Sequence, residues 1–108
     1  MRVLVANEPR AYREAIAGAV QVLRPHLAVI TVAPEDLDEA VVRHDPGVVL
    51  CSRLSRVVET WPRAWVVLYP EGKTRATVSI AGHRRTVTAD LPFAGLLSII
   101  DAAERLAQ

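Results

Sequence analysis

Three short apolar runs in this chain each end in side chains that can do chemistry. Arg2-Val3-Leu4-Val5-Ala6 is followed by Asn7-Glu8-Pro9, and Gly47-Val48-Val49-Leu50-Cys51 by Ser52-Arg53. Arg63-Ala64-Trp65-Val66-Val67-Leu68 is followed by Tyr69-Pro70. Glu8 offers a carboxylate for proton transfer or a cation, Ser52 a hydroxyl, Arg53 an anion anchor and Tyr69 a phenol. In an open parallel sheet the carboxyl ends of strands are where ligands bind. Asn7, Glu8, Ser52, Arg53 and Tyr69 would then line one crevice. As a catalytic set they fall short. Ser52 is flanked by Cys51 and Arg53 rather than the glycines of a nucleophile elbow, and no base is placed for it. Glu8, directly before Pro9, reads as a carboxylate capping a helix N-terminus, with Asn7 as the other candidate cap.

The elements that position these tips follow from periodicity. Pro9 suits a first helical position, and Tyr12, Ile16, Ala19 or Val20, and Leu23 repeat at helical spacing until Arg24-Pro25. His26 to Ala33 alternates loosely and reads as a strand. Pro34 opens a second helix with Glu35, Asp36, Asp38 and Glu39 at its positive end, burying Leu37, Ala40 and Val41. After the Asp45-Pro46-Gly47 turn comes the Val48 strand. Leu54 to Thr60 leaves room for two turns of a third helix. The strand cores Val48–Cys51 and Val66–Leu68 are wholly apolar, as in strands covered on both faces. A βαβαβ order of this kind implies a parallel sheet with crossover helices.

Beyond Gly72 the period changes. Thr74 to Ile80 alternates with period two, Ala81-Gly82 is a turn signal, and His83 to Thr88 favours strand again, so a β-hairpin is expected where a fourth crossover helix would stand. Its turn is not the strong Asn-Gly type. Asp90-Leu91-Pro92 caps a final helix with the stripe Phe93, Leu96 or Leu97, Ile100, Ala103 and Leu106 or Ala107.

Composition bounds the function. A chain of 108 residues, half of them apolar and about a quarter charged, is one soluble globular domain spanning 1–108. A formal charge of +1 gives no global case for nucleic acid or a membrane surface. The single cysteine, Cys51, rules out an internal disulfide framework and a Cys-based zinc site, and reads as a small buried hydrophobe. His26, His44 and His83 show no ligand spacing, and no glycine-rich loop follows the first strand. No apolar stretch approaches a membrane span, and Val3–Ala6 is too short for a signal peptide. A cytoplasmic protein is expected.

The order of elements, carried by Val3-Leu4-Val5-Ala6-Asn7-Glu8-Pro9, by Asp45-Pro46-Gly47-Val48-Val49-Leu50-Cys51-Ser52 and by Leu91-Pro92-Phe93, resembles the receiver domain of bacterial response regulators. That family has a flavodoxin-like, doubly wound α/β fold with a parallel sheet. The resemblance covers the first half and the last helix and breaks between Tyr69 and Ala89. It implies two acidic residues after the first strand that hold magnesium, an aspartate after the third strand that accepts phosphate, a hydroxyl after the fourth and a lysine before the last helix. Transferred position by position, the acidic pair falls on Ala6 and Asn7 and the acceptor on Ser52. The hydroxyl falls on Tyr69 or Pro70, and the lysine on Leu91. Every position departs from the pattern. Magnesium prefers carboxylate oxygens, and aspartyl phosphorylation needs a carboxylate nucleophile. The resemblance therefore implies a degenerate receiver that binds no metal or cofactor and runs no phosphoryl switch.

The expectation is thus a non-enzymatic, phosphorylation-independent module of bacterial signalling that binds a protein partner or a second copy of itself. Lys73, Arg75, His83, Arg84 and Arg85 concentrate positive charge on the hairpin, opposed nearby only by Glu71. With Val78, Ile80 and Trp61 they form the candidate interface, and the hairpin edge is a strand to which a twofold mate could add. The plainer reading is an edge defended by charge. An anion- or ligand-binding domain, or a small enzyme, using Glu8 and Arg53 in the strand-end crevice is the alternative. Nucleic-acid binding by the hairpin is disfavoured, because no aromatic residues interleave with the basic ones.

Overall fold

The computed structural model describes residues 1–68, 76–87 and 92–107. Tyr69, Lys73, Arg75 and Leu91 lie outside the described residues, as does Glu71. Six strands form one sheet in the order β2-β1-β3-β4-β5-β6. They are β1 Arg2–Ala6, β2 Ala28–Thr31, β3 Val48–Cys51, β4 Ala64–Leu68, β5 Ala76–Ile80 and β6 His83–Val87. The helices are α1 Arg10–Leu23, α2 Leu37–His44, α3 Arg56–Glu59 and α4 Phe93–Ala107, with a 3-10 turn over Pro34–Asp36.

Side-chain alternation sorts the sheet into two cores. Val3, Val5, Val48, Leu50, Val66 and Val78 face α1 and α4 and pack on Ile16, Val20, Leu96 and Ile100. Leu4, Ala6, Val49, Cys51, Trp65 and Val67 face the other side and pack on Leu37, Ala40, Val41 and Val58. Each fully buried Val or Leu contributes about 1.5–3 kcal/mol relative to exposure, so strands apolar on both faces must be covered on both. The fold is accordingly mixed α/β, with helices on either side of the sheet.

The sheet is parallel only in part, and the expected hairpin joins it as two antiparallel strands. β1, β2, β3 and β4 are parallel neighbours, whereas β4–β5 and β5–β6 are antiparallel. Length decides this. Residues 69–75 separate β4 from β5, fewer than the dozen or so that a parallel crossover requires. The hairpin pairs Ile80 with His83 across Ala81-Gly82. Both turn residues have positive φ, 51° at Ala81 and 84° at Gly82, as a type I′ turn demands.

Local chemistry sets the helix ends, with two departures from the sequence reading. Pro9 is the N-cap of α1 rather than its first residue, and no side chain caps it, so neither Asn7 nor Glu8 plays that role. α3 is a single turn. Ser55 Oγ accepts from Val58 N at 3.2 Å to start it, and Trp61-Pro62 prevents its continuation. α2 ends on Asp45 in the left-handed region, whose N–H donates to Val41 O at 3.1 Å. The end of α1 is clamped to α4 by a two-pronged pair, Arg24 Nε and Nη2 to the Asp101 carboxylate at 2.8 Å each. Hydrogen bonding from Arg24 holds the Asp101 carboxyl below its ordinary range. The stability this contributes is present above the usual carboxylate pKa and is lost as pH falls through the lower folded value.

Ala81 carries a Cβ in a conformation that L-residues other than Asn and Asp avoid at a cost of about 1–2 kcal/mol. Ala81→Asn creates the preferred Asn-Gly pair and is expected to stabilise the protein by about 0.5–1 kcal/mol. Chemical denaturation would measure this, with amide exchange slowed across β5 and β6.

Candidate functional site

The ends of β1 and β3 are brought together, as neighbouring parallel strands require. Ala6 is still in β1 and is buried in the α2-side core at 1% exposure. The two positions that follow the strand are Asn7 and Glu8. Glu8 is the one carboxylate of that pair. Its backbone N–H donates to Ser52 Oγ at 2.9 Å, tying the tip of β1 to the tip of β3. Its side chain meets Arg53 Nη2 at 3.4 Å. The Arg53 side chain is 80% exposed, and a solvated pair of this kind contributes less than about 1 kcal/mol.

Glu8, Ser52 and Arg53 line an open cleft of about 400 Å³, together with Leu37 and Asp38 of α2 and Ser55 of α3's N-cap. Ser55 Oγ donates to Asp38 Oδ1 at 2.6 Å while it caps α3, so that hydroxyl is already committed. Ser52 accepts from Glu8, which leaves its own O–H to donate into the cleft. Cys51 also borders the cleft, but burial pushes its thiol up to about 12. A thiol held neutral at ordinary pH is a poor nucleophile. Asn7 sits between two residues that line the cleft, yet it is completely buried. Neither Asn7 Oδ1 nor Nδ2 has a hydrogen-bond partner among the described residues. The sequence sets Asn7 at a strand tip, but nothing in it marks the residue as buried.

Across the sheet the basic hairpin divides. Val78 is 1% exposed and belongs to the α4-side core, so it offers no surface to a partner. The reason is alternation: Ala76, Val78 and Ile80 share the covered face of β5, whereas Thr77 and Ser79 face the other way. Ile80 packs at the margin of the same core. Trp61 is half-buried, and its indole donates to Pro46 O at 3.0 Å. His83 and Arg84 are exposed, and Arg85 is the middle residue of β6. The Arg84 guanidinium lies 5.1 Å from the ring centre of Trp65 and contacts Glu59 Oε1 of α3 at 3.2 Å. The positive charge is thus not opposed by Glu71 alone, since Glu59 meets it from a different element. Trp65 itself is 1% exposed, and its indole N–H has no partner among the described residues.

Among the described residues, no group of three or more His, Cys, Asp or Glu side chains is placed to hold a metal ion, and no helix is long and apolar enough to cross a membrane. The chain matches no protein-family model, no curated protein and no solved structure.

A guanidinium stacked on a desolvated indole contributes about 1–2 kcal/mol. Arg84→Ala is therefore expected to destabilise the protein by about that amount and to expose Trp65. The check is chemical denaturation together with a red shift of native tryptophan emission.

Proposed function

We propose that the chain is a non-catalytic, receiver-like module that works without phosphorylation, as a protein–protein interaction or self-association unit of bacterial signalling. The observation that carries this reading is the chemistry at the joined tips of β1 and β3. A serine stands where a phosphoryl switch needs a carboxylate nucleophile, and its hydroxyl accepts the Glu8 N–H. The one carboxylate beside it, Glu8, is partnered by Arg53. A guanidinium at that point competes with any cation for the carboxylate and cannot itself act as an acid or base near neutral pH. The strand order supports the scaffold part of the reading: the parallel strands run β2-β1-β3-β4, the first four places of the flavodoxin-like order. The hairpin then occupies the place of a fourth crossover helix, so partner recognition in this reading rests on a remodelled part of the sheet.

The test is exposure to acetyl phosphate or beryllofluoride with magnesium. No covalent phosphate by intact mass and no change in melting temperature are expected. A magnesium-dependent gain in stability would overturn the reading.

A second reading rests on the cleft itself. Its volume of about 400 Å³ and its lining by Glu8, Ser52 and Arg53 suit a small anionic ligand, within the size range of small-molecule sites. Arg53 supplies the anchor and Ser52 the neutral donor. Phosphate, sulfate and nucleotides would then raise the melting temperature, and Arg53→Ala would remove that shift. Equal shifts in wild type and variant would dismiss this reading.

A further inference from the structure

The two edges of the sheet are built differently. The sequence of β6 carries His83, Arg84 and Arg85, the composition of a strand edge that charge defends. β2 is bare: the segment Leu27-Ala28-Val29-Ile30-Thr31-Val32-Ala33 holds no charged residue, and prolines stand only outside it, at Pro25 and Pro34. Ala28 and Thr31 are exposed, Val29 and Ile30 half-buried, and β2 pairs only with β1 among the described residues. A neutral, β-branched, proline-free edge is the kind that recruits another strand.

The open hydrogen-bonding groups can be located. Ala28 N donates to Met1 O at 3.1 Å and Val32 N to Val5 O at 3.0 Å. With the period of two along a strand, residues 28, 30 and 32 direct their backbone groups to β1, and Val29 and Thr31 direct theirs outward. We propose that this edge pairs with β2 of a second copy of the chain, antiparallel about a twofold axis, with Ile30 of one copy opposite Ile30 of the other. That register sets Val29 opposite Thr31 twice and forms four backbone hydrogen bonds. Ile30 falls in the close, non-hydrogen-bonded pair, where β-branched side chains meet favourably.

Three considerations select a second copy as the occupant. A bare edge gives a charged strand nothing to pair with, whereas an identical bare edge opposes no like charges. Twofold pairing of β2 also closes, whereas pairing β2 onto β6 of the next molecule would propagate into a fibre. The same twofold operation applied to β6 is disfavoured. Register in the hairpin directs residues 83, 85 and 87 to β5 and leaves 84 and 86 outward, so the register using both would oppose Arg85 with Arg85. Self-association thus moves from the hairpin, where the sequence suggested it, to the opposite edge. The hairpin remains available to another partner. This inference rests on the self-association arm of the function proposed above.

The experiment is light scattering of the untagged full chain from about 1 µM to 1 mM beside three variants. Thr31→Pro removes an outward N–H that the β1–β2 ladder does not use, at an edge position that tolerates proline. It is expected to shift the dimer midpoint at least tenfold to higher concentration while the circular dichroism stays native. Thr86→Pro makes the equivalent change on β6 and is expected to leave the dimer intact. Ile30→Cys places two sulfurs across the axis at a Cα separation of about 4.5 Å, within disulfide reach. It is expected to form a covalent dimer on oxidation even if Thr31→Pro proves too unstable to use. A chain monomeric at 1 mM, or an Ile30→Cys protein that stays monomeric after oxidation, overturns the proposal. Loss of the dimer in Thr86→Pro but not in Thr31→Pro also overturns it, while leaving self-association by the hairpin in place. A phosphoryl-donor response in a β2-linked dimer would instead defeat only the phosphorylation-independent reading.

Discussion

Leu4, Val49 and Trp65 face one side of the sheet, Val3, Val5, Val48, Leu50 and Val66 face the other, and each is at most 1% exposed. Strands apolar on both sides cannot be left open to water on either, so helices have to lie on both faces. Crossover helices in turn bring β1, β3 and β4 into parallel register. This register alone sets Glu8 beside Ser52 and closes the 2.9 Å bond between their strand tips. Two-sided burial thus determines where a site could be, while the residues at the tips determine what it could do.

Much of this frame is legible in the chain because it is written in contiguous residues. β1 lies at Arg2–Ala6 and β3 at Val48–Cys51, as their unbroken apolar runs imply. The Ala81-Gly82 turn sits between strands whose period of two is plain. The less legible features depend on sequence-distant neighbours. Periodicity alone cannot say that β5 runs antiparallel to β4; the shortness of 69–75 does. Alternation could have placed Val78 inside, since it shares parity with Ala76 and Ile80, but only the cover provided by α4 shows which parity is buried. Glu59 reaches Arg84 across 25 positions of sequence, and no local pattern announces such a pair. Nor does one announce Asn7, whose carboxamide is fully enclosed.

The two sheet edges then become the informative surfaces. Arg84 is drawn inward over Trp65 and toward Glu59, so part of the hairpin's charge serves its own packing. β2 has no equivalent charge, and the backbone groups of Val29 and Thr31 face away from β1, its one strand neighbour among the described residues. In this account the tips are held by internal bonds, and association is a property of strand edges.

Amide hydrogen exchange by mass spectrometry across a dilution series, with and without acetyl phosphate and magnesium, tests that account most directly. It predicts that protection of residues 27–33 rises with protein concentration, and that residues 7–9 and 52–54 are indifferent to the phosphoryl donor. Protection at the strand tips that depends on donor and magnesium, with residues 27–33 unchanged by concentration, would contradict it.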